Sequence, residues 1–167
     1  MGIDISLKSK KYNCSMHLDE KISFVLGDSG KGKTVFARLV SDSDNTGVDI
    51  NVSNGFELVV LTGATFRDFL RKANKHISSG RYKDLNEYWS DIMNFPYSES
   101  VIIVDDNDFI TSREFACFVN ADKYNYYLLI NRTQLLELGY HIDAVFEFKA
   151  NGKEHSLERK CNYQSQM

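Results

Sequence analysis

Three short apolar runs constrain this chain more than any other feature: residues 21–26 (KISFVL), 101–104 (VIIV) and 126–130 (YYLLI). Each is short for a helix and too continuously apolar for a strand with one wet face. Each therefore predicts a strand covered on both sides. Between the runs the periodicity changes. Phe66, Phe69, Leu70, Ala73 and Ile77 recur at i, i+3, i+4, i+7 and i+11, one stripe of an amphipathic helix. Leu85, Tyr88, Trp89 and Ile92 repeat the pattern, and Pro96 follows the helix end. Residues 33–41 put Phe36, Ala37 and Val40 on one face, and residues 112–120 do the same with Phe115, Phe118 and Val119. A short helix is predicted over 133–138, stopped by Gly139. Buried strands alternating with amphipathic helices predict an α/β three-layer sandwich with a mostly parallel central sheet.

Both ends of the chain read as hairpins, expected at the periphery of that sheet. Ile3, Ile5 and Leu7 alternate with polar residues, as do Cys14, Met16 and Leu18, with a turn near 10–13. Residues 144–149 and 155–159 flank Asn151-Gly152, the signature of a type I′ turn. Residues 42–47 are a polar loop, and either 48–52 or 57–61 supplies the next sheet strand. With 167 residues, one proline and no low-complexity tract, a single domain is expected over 1–167, with its core at about 21–148.

Composition excludes several classes. With 43% hydrophobic and 26% charged residues the chain is not disordered, and no run reaches the roughly 20 apolar residues of a membrane helix. The first residues contain no continuous apolar segment, so no secretory signal is expected. Met1-Gly2 with Ser6 matches the myristoylation pattern, but strand alternation explains the same residues. Cys14, Cys117 and Cys161 are odd in number and widely spaced, which predicts reduced thiols in a cytoplasmic protein. His17, His76, His141 and His155 fit no metal-ligand spacing.

One segment carries chemistry directly. Gly27-Asp28-Ser29-Gly30-Lys31-Gly32-Lys33-Thr34 fits GxxxxGK[ST], and it lies between a predicted buried strand and a predicted helix. A polyphosphate needs several N–H donors converging on anionic oxygens. Glycines let the backbone wrap those oxygens without side-chain collision. The helix opening at Lys33-Thr34-Val35 adds unpaired N–H groups and the positive end of its dipole. Lys33 would reach the β- and γ-phosphates, and Thr34 would offer a hydroxyl to Mg²⁺.

The run 101–104 ends in Asp105-Asp106. A strand this apolar delivers its terminal carboxylate to the sheet edge. There Asp105 would hold Mg²⁺ and Asp106, facing another way, would orient or deprotonate water. Asn131 and Arg132 follow the next buried run, where the Arg132 guanidinium would stabilise transition-state charge; Arg113 is a further candidate for that task.

GDSGKGKT and VIIVDD together resemble the Walker A and Walker B motifs of P-loop NTPases. The strand order is similar to the additional-strand, AAA+ and RecA-like division of that superfamily. The resemblance spans roughly residues 21–148 and implies the P-loop NTPase fold, with ATP and Mg²⁺ as ligands. In that division the second acidic residue after Walker B is usually glutamate, whereas this chain has Asp106, and a polar residue at the tip of the next strand commonly senses the γ-phosphate, which the resemblance assigns to Asn131. No LSGGQ-like signature, no helical lid domain and no NKxD guanine signature is found. The expected function is hydrolysis of the β–γ phosphoanhydride of Mg-ATP, coupled to a partner macromolecule. A small-molecule or nucleotide phosphotransferase and a non-hydrolysing ATP-binding switch or assembly module stay open as alternatives. A homo-oligomer or larger protein assembly is compatible with each.

Net charge is −3, yet residues 64–83 hold Arg67, Arg71, Lys72, Lys75, Arg81 and Lys83 against Asp68. That segment is either a solvated helix face or a nucleic-acid contact.

Overall fold

The computed structural model describes residues 2–26, 33–41, 47–105, 108–131 and 138–160, with the side chains of 33–35 excepted. Nine strands form one mixed sheet among these residues. In chain order they are β1 (Ile3–Lys8), β2 (Asn13–Leu18), β3 (Ile22–Leu26), β4 (Asp49–Val52), β5 (Glu57–Val60), β6 (Ser100–Asp105), β7 (Tyr126–Ile130), β8 (Ala144–Asn151) and β9 (Glu154–Arg159). The helices are α1 (Lys33–Ser41), α2 (Gly63–Ser78), α3 (Leu85–Ser90) and α4 (Arg113–Ala121). The order across the sheet is β4-β1-β2-β9-β8-β3-β7-β6-β5.

This arrangement corrects the expected fold class. The three apolar runs do lie side by side in parallel, with β5 and β8 flanking them. The terminal hairpins, however, are not peripheral to a parallel slab. They are built into the sheet, because β9 pairs antiparallel with β8 and parallel with β2. The strand at 48–52 is not a parallel neighbour either, since β4 pairs antiparallel with β1. A three-layer P-loop sandwich is therefore not what forms. The sheet is mixed and bends into a nearly closed barrel, with 32% of the chain helical.

Chain connectivity explains the bend. The outermost strands, β4 and β5, are consecutive in sequence, and only residues 53–56 join Val52 to Glu57. Five residue steps span at most about 18 Å. Nine strands laid flat would separate these edges by about 38 Å. The sheet must curl until its edges come within reach. The link itself is fastened to β1: the Asp4 N–H donates to Ser53 Oγ at 2.9 Å, and the Asn54 amide donates to the Gly2 carbonyl at 3.2 Å.

Curling makes two cores from the two sheet faces. The inner face wraps α1. Ile3, Ile5, Leu7, Cys14, Met16 and Leu18 of the first hairpin meet Phe36, Ala37 and Val40 there, together with Val101, Ile103, Leu128 and Ile130. Alternation in that hairpin thus serves an interior, not a wet surface. The outer face is covered by α2, α3 and α4 over an aromatic cluster of Phe66, Trp89, Phe115, Phe118 and Tyr127. Phe66 stacks on Phe109 with centroids 4.9 Å apart, and Trp89 meets Phe118 edge-on at 5.1 Å. Such pairs add about 0.5–1.5 kcal/mol each beyond area burial.

Helix ends follow their capping residues. Thr62, Asp84 and Ser112 accept N–H bonds from Thr65, Glu87 and Phe115 at the starts of α2, α3 and α4. The helix predicted to reach Ile92 stops at Ser90. Asp91 turns extended, and its carboxyl accepts from the Tyr82 hydroxyl at 2.7 Å and the Met93 N–H at 3.1 Å. Ile92, expected inside, is 61% exposed in consequence. The β8–β9 turn also differs from expectation. Its two central residues are Gly152 and Lys153, and of these Gly152 alone has positive φ (+62°), which fits a type II′ turn and not I′. The helix predicted over 133–138 lies mostly outside the described residues, as does Cys161; Cys14 and Cys117 are free thiols. Burial pushes the Cys14 thiol up to about 12, so it is packing and not a nucleophile.

A buried polar network ties the start of β3 to α4. The Asp122 carboxyl accepts from the Tyr127 hydroxyl at 2.6 Å and the Asn125 amide at 2.9 Å. The Lys21 ammonium donates to the Val119 and Asp122 carbonyls at 2.8 and 2.6 Å, capping the helix end. Ser23 is the contrast: its hydroxyl is buried without a partner among the described residues. Tyr127→Phe should lower stability by about 1–3 kcal/mol, because it strips a donor from a buried carboxyl. Ser23→Ala should leave stability unchanged or raise it by up to about 1 kcal/mol. Urea unfolding of both variants checks the pair, and a larger loss for Ser23→Ala than for Tyr127→Phe would contradict it.

On the outward face of the first hairpin, register places Asp4 opposite His17. The His17 ring faces Asp4 through Nδ1 and Asp19 through Nε2, so both nitrogens act as donors in the imidazolium form. The Asp4 and Asp19 hydrogen bonds raise its pKa. A raised folded pKa stabilises fully below the unfolded value of about 6.5, and the benefit fades as pH rises through the folded value. The thermal midpoint should therefore exceed that of His17→Gln in mild acid, with the difference vanishing in alkali. A difference independent of pH would contradict this.

Candidate functional site

The candidate site is the edge at which the parallel strands end. β3, β7 and β6 are buried almost throughout up to that edge, and their registers form one row: Val25 opposite Ile130, and Ile130 opposite Asp105. Asp105 thus lies two strand spacings, about 10 Å, from β3. One residue past the row, the Asn131 N–H donates to the Val25 carbonyl at 3.2 Å, holding the end of β7 to β3. Beyond Leu26 the chain enters the glycine-rich segment and returns as α1 at Lys33.

Alternation along β6 decides which way the carboxylate faces. Val101 and Ile103 belong to the inner core and Ile102 and Val104 to the outer one. Asp105 continues the series on the inner side, the side that α1 occupies. Val25 and Ile130 of the same row also belong to the inner core. The carboxylate therefore shares both a sheet edge and a sheet face with the helix opened by Lys33-Thr34. Asp105 and Asn131 are half-buried, and each has a partner.

Of the predicted site residues, Asp105 and Asn131 are brought together by the sheet. Gly27, Asp28, Ser29, Gly30, Lys31 and Gly32 lie outside the described residues, as do the side chains of Lys33, Thr34 and Val35, and so do Asp106 and Arg132. Arg113 is on the wrong side of the sheet for the task considered for it. It starts α4 on the outer face and lines a groove with Ile77, Lys83, Asp84, Glu114 and Cys117. Among the described residues no group of three His, Cys, Asp or Glu side chains is arranged as a metal cage. A Mg²⁺ bound chiefly by phosphates and waters does not need one, and a single hard carboxylate at this edge fits such an ion.

Two clusters escaped the sequence reading. The Asp4–His17–Asp19 group joins residues 13 apart through hairpin register, which aligning the two alternating runs around their turn would have exposed. Lys21 as the cap of α4 links residues about 100 apart, and no local signal announces it.

No helix among the described residues is long and apolar enough to cross a membrane. No family model matches the chain, and no curated protein does. Among solved structures it is similar to a chain of the ribosome-bound archaeal Pelota and ABCE1 assembly, with 11% identity and a TM-score of 0.48 over 95% of this chain and 34% of that one. This chain spans about a third of that chain's length, and likeness at this level transfers neither fold nor function.

Proposed function

We propose that this protein is a Mg-ATP-dependent nucleoside triphosphatase whose turnover is coupled to a partner macromolecule. One observation carries the reading: in sequence GDSGKGKT lies between β3 and α1, and Asp105 stands on the edge where β3 ends and on the face that α1 covers. The motif brings the N–H donors, the lysine and the hydroxyl that a triphosphate requires. The neighbouring strand brings the carboxylate.

In this reading the amides of residues 27–34 hold the β- and γ-phosphates, and the Lys33 ammonium neutralises their charge. Thr34 and Asp105 would hold Mg²⁺, which would supply charge neutralisation at the phosphates. Asp106 accepts a hydrogen bond from the attacking water and aligns it with the γ-phosphorus. The bond from water oxygen to Pγ forms as the bond from Pγ to the bridging oxygen breaks, giving ADP and inorganic phosphate. Asn131 contacts a γ-phosphate oxygen, and Arg132 stabilises the charge that develops there. Positioning and electrostatics do nearly all of the work in such a step.

Asp106 also favours a second reading, an ATP-bound switch or assembly module with slow turnover. Its side chain is one methylene shorter than the glutamate usual in the P-loop NTPases that the motifs resemble, which sets the carboxylate farther from the water it would align. A phosphate-release assay with Mg-ATP separates the two. Free phosphate rising without any acceptor supports the hydrolase and excludes an obligate phosphotransferase. Stoichiometric binding without turnover supports the switch.

Lys33→Ala should weaken Mg-ATP binding at least about 100-fold, the cost of removing one partner of a desolvated charge pair. Calorimetric titration reads this directly, and an unchanged affinity would remove the proposal. Asp106→Asn should keep ATP affinity within about threefold while turnover drops about 10²–10⁴-fold. An unaltered rate would take Asp106 out of the mechanism.

A further inference from the structure

We infer that the exposed face of α2, continued by Arg81 and Lys83, is a docking ridge for the phosphodiester backbone of a nucleic acid. The helix presents Arg67, Arg71 and Lys75 at i, i+4 and i+8, and all three are exposed. At 100° per residue they fall within about 80° of one another, on the solvent side of the helix. Lys72 stands on the flank, and Arg81 and Lys83 extend the stripe beyond the helix end; these three are exposed as well. Asp68 is the one acidic residue of α2, and it is paired with Arg71 at 2.8 Å. Arg67, Lys72, Lys75, Arg81 and Lys83 have no carboxylate partner among the described residues.

Helix stability does not account for this pattern. Cations favour the last turn, where Lys75 stands, but Arg67 sits in the N-terminal half and Arg71 at mid-helix, where the dipole gives them nothing. Like charges at i, i+4 repel, so a face serving only helix formation would alternate sign. Six cations concentrated within residues 64–83 of a chain with net charge −3 form a patch whose potential selects a polyanion.

Geometry favours a nucleic acid over an anionic bilayer. The apolar stripe of α2, with Phe66 and Ala73 buried, is already packed into the outer core, so the helix has no apolar face left to insert. Each i, i+4 step rises about 6 Å, so Arg67 to Lys75 spans about 12 Å. That length matches three to four nucleotides of a strand rising about 3.4 Å each. The inference does not depend on the Mg-ATP reading, since it rests on residues remote in sequence from the glycine-rich segment.

The test is fluorescence anisotropy with a labelled oligonucleotide, single-stranded in one arm and duplex in the other, without nucleotide and across about 50–200 mM salt. Engagement of the five cations without a carboxylate partner predicts a log–log salt slope of about −3.5 to −4.5. Arg67→Gln with Lys75→Gln should weaken binding at least about 10-fold and reduce the slope by about two. Lys153→Gln, an exposed cation on the β8–β9 turn, should leave binding unaltered. Matching thermal midpoints exclude misfolding, because none of these side chains is buried. Preference for one arm identifies the strand form. Absence of salt-dependent binding in both arms would overturn the inference. So would equal loss in Lys153→Gln, or tighter binding to poly-glutamate or to phosphatidylserine vesicles than to either oligonucleotide.

Discussion

Four residues between β4 and β5 determine the shape of the molecule. Because Val52 and Glu57 are tied so closely, the two outermost strands of a nine-stranded sheet cannot stand apart. Curvature then follows from chain length and not from any particular side-chain contact. Once the sheet curls, its inner face needs something of helical diameter to fill it, and α1 with Phe36, Ala37 and Val40 does so. The same curl brings the alternating faces of β1 and β2 onto that helix. It also leaves the outer face broad enough for three helices and their aromatic cluster.

The parallel strands were legible because their signal is local. KISFVL, VIIV and YYLLI each announce burial on both faces, and each forms a strand within a residue of the predicted limits. Helix starts at Thr62, Asp84 and Ser112 are likewise written in single capping residues. Pairing between distant strands is not local, and there the reading failed. Nothing in Asn13-Cys14-Ser15 says that its outer neighbour is β9 at Glu154–Ser156, so the hairpins looked like ornaments on a parallel slab. Ile92 shows a smaller version of the same failure. Periodicity placed it inward, but Asp91 found Tyr82 and ended the helix first. Of the candidate site, the positions of Asp105 and Asn131 at strand ends were legible, whereas the segment between β3 and α1 lies outside the described residues.

Placing Asp105 at the end of an apolar strand has an energetic logic. A carboxylate within the row of Val101 to Val104 would meet two hydrophobic cores and no compensating charge. One residue later it reaches an edge where water, helix N–H groups and a bound cation can each satisfy it. The strand can therefore be as apolar as packing demands while still delivering one charge to a fixed point. Val25 and Ile130, in register beside it, fix that point to within the rigidity of the sheet.

The charged helix and this edge are joined by covalent geometry. β5 runs parallel to β6, and Leu61 at its end donates to the Ile103 carbonyl, two residues before Asp105. Thr62 then starts α2, so the helix leaves the sheet at the same edge as the glycine-rich segment. Arg67 lies barely more than one turn along it. A nucleic-acid strand bound as inferred would begin close to the edge proposed to hold phosphate and run away from it. Coupling between two ligands requires that one of them change the free-energy difference between states that the other distinguishes. If both proposals hold, the first turn of α2 borders one ligand and its exposed face carries the other, so this single helix is an element through which such a difference can pass.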